Sequence, residues 1–144
     1  MQELTLSSQS EGKYSEKGST FTALTLPVAS LGQVKNELNN LREQYPDANH
    51  ICYGYRIKEG DRVDEFSTDA GEPKGSSGLP ILNVLKRNQL VNVVIFVIRY
   101  FGGSKLGIPG LINAYGAAAE NAINAGKLKT WVLYQQISLS LIHI

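Results

Sequence analysis

The sequence predicts an α/β (α+β) domain, in which one sheet of about four or more strands with mixed pairing is covered by two main helices. Residues 51–57 alternate apolar and polar side chains in the two-residue period of a strand. Residues 91–98 are an almost unbroken apolar run, which is typical of a central strand covered on both faces. Apolar and small residues recur at helical spacing from 111 to 122. These patterns together predict helices packed on a sheet.

The composition predicts one domain in a reducing compartment. With 144 residues and a net charge of +1, the chain can bury a core without metals or disulfides, and it has no global attraction for nucleic acid or acidic lipid. Cys52 is the single cysteine, so no intrachain disulfide can form. No apolar run reaches the roughly 18 residues of a membrane span, and the N-terminus does not resemble a signal peptide. We therefore expect a cytoplasmic location.

The first third of the chain predicts strands on either side of one helix. Residues 1–18 are polar and predict an irregular lead-in or an edge strand, whereas Phe21–Val28 is typical of a strand near a sheet edge. Ser30 and Gln33 have the spacing of a capping box, which opens a helix that ends before Pro46. The residues expected to form one face of this helix are Leu31, Val34, Leu38, Leu41 and Tyr45.

The remaining elements are predicted as a hairpin, two helices and further strands. The strand at 51–57 turns into a second strand at 62–67. Ser77 is expected to cap a short helix, Leu79–Arg87, and Pro109 or Gly110 to begin the longest helix. The buried stripe of that longest helix is predicted to be Leu111, Tyr115, Ala118 and Ala122, with Gly126 at its end. Residues 129–134 and 137–144 are strand-like.

Two glycine-rich segments are the candidate functional regions, and the second, Arg99–Gly110, joins a buried strand to a helix N-terminus. Free backbone N–H groups and the helix dipole favour an anion at such a junction, and Arg99 and Lys105 add mobile positive charge. The alternative is that the glycines only supply turns and tight packing. The candidate residues for binding an anion or a partner are Arg99, Gly102, Gly103, Ser104, Lys105, Gly107 and Gly110.

The first glycine-rich segment, Asp69–Gly78, supplies the second loop of the predicted site. Its candidate residues are Asp69, Glu72, Lys74, Ser76 and Ser77. Asp69 and Glu72 have the chemistry of an acid and base pair, but a solvated turn with a helix cap is favoured over catalysis. The two serines lack the spacing of a nucleophile elbow, and no histidine adjoins them.

No cofactor or metal is predicted. The glycine spacing in Arg99–Gly110 does not match a dinucleotide fingerprint, and Ser104–Lys105 reverses the Lys–Ser/Thr order of a P-loop. His50 and His143 are isolated from other ligands, so structural histidines are favoured over zinc ligands. Cys52 lies in a strand pattern and is predicted to be a small buried hydrophobe.

Three ordered motifs together resemble the Impact/YigZ family. These motifs lie at residues 46–50, 69–82 and 99–115, and the similarity extends over roughly residues 17–126. The resemblance implies a ribosomal-protein-domain-2-like β-α-β sandwich, which is also found in a late domain of the translocase elongation factor. It further implies an Impact N-terminal-like domain at 19–134, followed at 135–144 by a linker and the first strand of a truncated, ferredoxin-like second domain.

The sequence departs from the family pattern in both glycine-rich segments. Thr68–Asp69 stands where two aspartates are common, residues 74–77 replace Ser-Gly-Thr-Ala, and Ile108–Pro109 replaces Thr-Gly. A second carboxylate is therefore missing beside Asp69, which weakens any catalytic or metal-binding role for an acidic pair at this position.

Three functions are compatible with these observations. The first is a non-catalytic module that binds structured RNA or a translation-associated protein through Arg99, Lys105 and the N–H groups of Gly102, Gly103 and Gly110. The second is a partner-binding regulator, as the resemblance to eukaryotic Impact proteins implies, with the surface of the helix at 31–45 as the contact. The third, ranked last, is hydrolysis at Asp69 and Glu72.

Overall fold

The computed structural model describes residues 3–131, in which seven strands and three helices follow one another. In chain order these are β1 (Leu4–Leu6), β2 (Ser10–Glu16), β3 (Ser19–Pro27), α1 (Leu31–Gln44), β4 (His50–Glu59), β5 (Arg62–Thr68), α2 (Gly78–Arg87), β6 (Val93–Tyr100), α3 (Gly107–Ala125) and β7 (Leu128–Thr130). The α/β class is confirmed, while the predicted strand at 137–144 lies outside the described residues.

The main sheet has five strands in the order β2-β3-β6-β4-β5. All four of its ladders are antiparallel, so the prediction of mixed pairing is wrong for this sheet. The physical reason is that β6 lies between β3 and β4. These two strands run parallel to each other and are connected through α1, but they do not pair. A smaller antiparallel sheet joins β1 to β7.

Strand β6 divides the core into two halves, because its side chains alternate between the two faces of the sheet. Val93, Ile95 and Val97 pack with the buried residues of α2 and α3. Val94, Phe96 and Ile98 pack with the buried residues of α1 on the opposite face. The prediction of a central strand covered on both faces is therefore confirmed.

Helix α1 begins with one of the two hydrogen bonds of the predicted capping box, while the Gln33 side chain reaches one residue before the N-cap. The Gln33 N–H donates to Ser30 Oγ at 3.3 Å, and Gln33 Oε1 accepts from the Ala29 N–H at 2.5 Å. Val34, Leu38 and Leu41 are buried as expected. Leu31 is 45% exposed, and it lies in a surface depression lined also by Tyr55, Ile57 and Phe66, so the predicted face is not buried at its first residue.

Helix α3 begins at Gly107, two to three residues before the predicted start. Its stripe of Leu111, Tyr115, Ala118 and Ala122 is buried, and Gly126 ends the helix, both as predicted. None of the helices in the described range 3–131 is long and apolar enough to cross a membrane.

Edge strand β2 packs unusually close to α3, so a methyl group at Gly12 should destabilise the fold. A Cβ atom there would lie 2.2 Å from the backbone nitrogen of Ala122, and neither backbone can move freely. We expect Gly12→Ala to lower the free energy of unfolding by about 1–3 kcal/mol, as overpacking does. Urea denaturation measures this change.

Gly116→Ala is the matched control for that prediction. It lies in the middle of α3, and no heavy atom lies within 4 Å of its added Cβ. Helix propensity should make the control more stable by roughly 0.5–1 kcal/mol. Equal effects of the two substitutions would contradict the close packing of β2 on α3.

Candidate functional site

The two glycine-rich segments meet in a buried polar cluster formed by Ser19, His50, Glu72, Arg99 and Tyr115. Arg99 Nη1 donates to Glu72 Oε2 at 2.6 Å, and the Tyr115 hydroxyl donates to the same oxygen at 2.5 Å. His50 Nε2 lies 3.5 Å from the other carboxylate oxygen, Oε1. The side chains of Glu72 and Arg99 are 4% and 6% exposed, so this ion pair is almost completely removed from water.

Arg99 is held in place on several sides. Its Nη2 donates to Ser19 Oγ at 3.2 Å, and the guanidinium carbon lies 5.4 Å from the ring centroids of both Phe21 and Phe101. The prediction of a mobile positive charge at residue 99 is therefore wrong. Alternation along β6 turns this side chain to the same face as Val97, toward α3, where Glu72 neutralises it.

This environment disfavours ionisation of Tyr115 and Cys52 further than in water. Burial, followed by contacts with Cys52 and Glu72, raises the pKa of the Tyr115 phenol far above its usual value, so the hydroxyl stays a donor to Glu72. Burial also raises the pKa of the Cys52 thiol to about 11, although hydrogen bonds with Ser77 and Tyr115 lower it. A protonated thiol is a poor nucleophile, which agrees with the predicted structural role of Cys52.

The Asp69 carboxylate closes the first glycine-rich segment onto the start of α2. It accepts backbone N–H groups from Gly75 at 2.9 Å, Ser77 at 3.2 Å and Gly78 at 2.9 Å, and it accepts the Ser77 hydroxyl at 3.0 Å. Partial burial alone would raise the pKa of Asp69, but these hydrogen bonds outweigh burial and hold it below the usual value. Asp69 is therefore an ionised acceptor with four donors.

The two serines of the first segment make hydrogen bonds within the loop, whereas its lysine is exposed. Ser76 Oγ donates to the Pro73 carbonyl at 2.5 Å, and the Ser77 hydroxyl donates to Asp69. Ser77 occupies the N-cap position of α2, but its own side chain makes no cap hydrogen bond. The predicted cap is therefore wrong, because Asp69, eight residues earlier, satisfies the N–H groups there. Lys74 is exposed.

The glycines of the second segment differ in how closely neighbouring atoms approach them. A Cβ at Gly102 would lie 2.0 Å from the Gly18 carbonyl carbon, and the Gly102 N–H already donates to Ser19 Oγ. Gly110 lies in the first turn of α3, and a Cβ there would lie 3.0 Å from the Cβ of Leu106. The Gly102 N–H is thus already engaged within the fold, whereas the role of the Gly110 N–H in binding an anion stays a prediction. Gly103, Ser104 and Gly107 are exposed.

A cavity of about 290 Å³, which we call the loop cavity, lies between the two segments. Its lining residues are Glu72, Pro73, Arg99, Phe101, Lys105, Leu106, Gly107, Ile108 and Leu111. Lys105 is exposed, and it makes no ion pair with any of residues 3–131. The two segments therefore share one cavity, with a charged floor, apolar walls and a cation at the rim.

Several residues of this region are not among the sequence-predicted site residues. Asn49 Oδ1 accepts the Phe101 N–H at 2.7 Å, and His50 Nδ1 donates to the Ala70 carbonyl at 2.8 Å. Both residues belong to the family-like motif at 46–50, which could have marked them as site residues. The sequence pattern did not do so for His50, because its partners Ala70 and Glu72 are about 20 residues away along the chain. Phe101 and Tyr115 likewise have the pattern of ordinary core aromatics.

Within residues 3–131, no three His, Cys, Asp or Glu side chains form a metal-binding group.

Comparison with known proteins identifies similar sequences. Residues 17–123 match the Impact N-terminal domain. A Thermus thermophilus protein described as an IMPACT family member is 44% identical over 105 residues, which are 73% of this chain and 55% of that protein. The IMPACT family member YvyE of Bacillus subtilis is 38% identical over 97 residues, or 67% of this chain and 44% of that protein. The chain thus spans about half the length of these relatives.

Two solved structures share the fold. The crystal structure of a hypothetical protein superposes with a TM-score of 0.85 at 24% identity, covering 98% of this chain and 74% of the other. The two-domain translational regulator Yih1 superposes with a TM-score of 0.53 at 24% identity, covering 83% of this chain and 48% of the other. At this level of identity the likeness concerns the fold alone.

Proposed function

Because this chain belongs to the IMPACT family, we propose that it is a translation-associated binding domain that contacts RNA at the loop cavity and its rim, without catalysing a reaction. The observation that carries this proposal is the pairing of an exposed aromatic ring with exposed cations. Phe101 is 49% exposed at the cavity, Lys105 lines the same cavity, and Lys74 is exposed next to the lining residue Pro73. Aromatic rings and lysines together are the usual elements of single-strand binding.

The buried chemistry supports binding rather than hydrolysis. All four donors around Asp69 are fixed by the loop, and the Glu72 carboxylate is neutralised by Arg99 and accepts a hydrogen bond from Tyr115. The Cys52 thiol is protonated at neutral pH. A general base or nucleophile needs a group that is free to exchange a proton with a substrate. The hydrolase hypothesis consequently stays the lowest-ranked of the three.

The distribution of exposed apolar side chains supports the loop cavity over α1 as the contact surface. Among the described residues, α1 presents one large exposed hydrophobe, Leu31. Phe101 and Ile108 are both exposed where they line the loop cavity, and Ile112 is exposed on the next turn of α3. The translational regulator Yih1 has the same fold, which supports a role connected with translation.

The proposal predicts a lower salt dependence of RNA binding when the two rim lysines are removed. The probe is a fluorescein-labelled RNA hairpin with a single-stranded tail, followed by fluorescence anisotropy at several salt concentrations. For Lys74→Ala combined with Lys105→Ala, affinity should fall several-fold, and the slope of log affinity against log salt should fall by about 0.7 for each single-strand phosphate that the variant no longer neutralises.

Lys35→Ala is the matched control for the two rim lysines. Lys35 is an exposed lysine on α1, which covers the opposite face of the sheet. This variant should bind like the wild type. If the double variant and the control bind the hairpin with the same affinity and the same salt slope, the assignment of RNA binding to the loop cavity is wrong.

A further inference from the structure

We propose that the loop cavity is a pocket for one unpaired nucleotide, whose base enters the cavity while its phosphate stays at the rim. This inference rests on the RNA-binding function proposed above and specifies the ligand of the same site. The volume of about 290 Å³ lies near the lower end of small-molecule pockets, a size that suits one base.

The walls of the loop cavity suit a flat ring. Phe101, Leu106, Ile108 and Leu111 make most of the lining apolar. The Phe101 ring packs on the Arg99 guanidinium at 5.4 Å and is still 49% exposed, so a second planar group can stack on it. Because every nucleobase has a π face, such stacking selects bases as a class rather than one sequence.

The floor of the cavity requires a ligand with both donors and acceptors. Glu72 is an acceptor, and a carboxylate has more lone pairs than its hydrogen bonds with Arg99 and Tyr115 use. Arg99 is 5% exposed, and in the described part of the chain its Nε–H has no acceptor. A purely apolar group would leave these atoms unpaired, whereas the edge of a nucleobase presents N–H donors beside ring nitrogen and carbonyl acceptors.

The rim of the cavity favours an anion. Lys105 lines the cavity beside the start of α3, where the N–H groups of Gly107 and Ile108 precede the first helical hydrogen bond. Pro109 has no N–H, so the N–H groups of Gly107 and Ile108 and the Lys105 ammonium are donors at that end without one from residue 109. A phosphate next to the stacked base would place its charge at this positive end of the helix dipole.

The test follows backbone amide signals of the ¹⁵N-labelled full chain by NMR during titration. The probes are the four nucleoside 5′-monophosphates, a single-stranded oligoribonucleotide and the same sequence as a duplex. We expect the single strand to shift the amide signals of Phe101, Lys105, Gly107 and Ile108 in a saturable way. The duplex should leave these four signals unchanged. Equal saturation by free monophosphates would identify a free nucleotide as the ligand, whereas shifts from the strand alone would identify RNA.

Aromatic variants measure the contribution of stacking. Phe101→Ala should weaken binding of the single strand by about tenfold or more, because base stacking on an aromatic ring is lost. Phe101→Trp should retain binding, which separates loss of stacking from loss of folding. Tyr100→Ala is the matched control, since Tyr100 is an adjacent exposed aromatic that does not line the cavity.

The failures of the two proposals can be told apart. If RNA binds but Phe101→Ala and Tyr100→Ala bind equally well, or if the duplex binds as well as the single strand, the nucleotide pocket is wrong while RNA binding stands. If neither nucleotide nor RNA shifts any amide signal, both proposals are wrong. Saturation of the same four amide signals by a short peptide alone would assign the cavity to a protein partner instead.

Discussion

Replacing Arg99 with methionine is expected to lower the free energy of unfolding by about 3–5 kcal/mol, the largest loss of stability that we predict for this chain. The reason is that Glu72, whose side chain is 4% exposed, would keep its position in the core without its guanidinium partner. Tyr115 would then be the main remaining donor to the carboxylate. Urea denaturation monitored by circular dichroism measures the loss.

Two further variants decide whether the Arg99 effect arises from an unpaired buried charge. The double variant Arg99→Met with Glu72→Met should recover much of the lost stability, because removing both partners is often close to neutral. Arg62→Met is the surface control, since Arg62 pairs with Glu59 and Asp64 at an exposed position and should cost less than about 1 kcal/mol. A double variant no more stable than Arg99→Met would contradict this account.

Asp69→Ala should have the second largest effect, a loss of about 3 kcal/mol. Several hydrogen bonds to a charged acceptor, each worth roughly 1.5–3 kcal/mol, are removed at once, although water replaces part of them at this half-buried position. The freed donors are the backbone N–H groups of Gly75, Ser77 and Gly78 at the start of α2. Asp61→Ala, at an exposed aspartate in the β4–β5 turn, is the control and should change stability little.

The pH dependence of stability gives a second measurement of the Asp69 hydrogen bonds. The pKa of Asp69 is lower in the folded chain than in the unfolded chain, where it is about 3.9. Its stabilising contribution is therefore complete above the unfolded pKa and is lost as the pH falls through the folded pKa. The difference in unfolding free energy between wild type and Asp69→Ala should stay constant near neutral pH and shrink below about pH 4. A constant difference down to acid pH would refute the role of an ionised Asp69.

The interactions of Asp69 and Glu72 explain how a glycine-rich loop can form a defined cavity. Asp69 holds the start and the end of the first segment together, and Glu72 within it reaches Arg99 on the central strand. On the other side, Asn49 and Ser19 accept the N–H groups of Phe101 and Gly102. The proposed binding surface is thus held mainly by side chains that are themselves buried or partly buried.

The sequence by itself determined most secondary-structure elements and the positions of the two glycine-rich segments between them. An almost unbroken apolar run identified β6 as the central strand, and helical periodicity identified the stripe of α3 from Leu111 to Ala122, because both patterns are local properties of the chain. It also located both glycine-rich segments at helix N-termini. The role of their candidate residues in binding stays a prediction.

Only the tertiary structure decided what each charged side chain in those segments contacts. Glu72 neutralises Arg99 across 27 residues and accepts from Tyr115 across 43, while His50 approaches from the start of β4. No pattern of neighbouring residues encodes such pairs. They form because β6, which carries Arg99, lies between β3 and β4 in the sheet. The positive charge that sequence reasoning placed at Arg99 is therefore buried, whereas Lys105 lines the cavity and has no such ion-pair partner within residues 3–131.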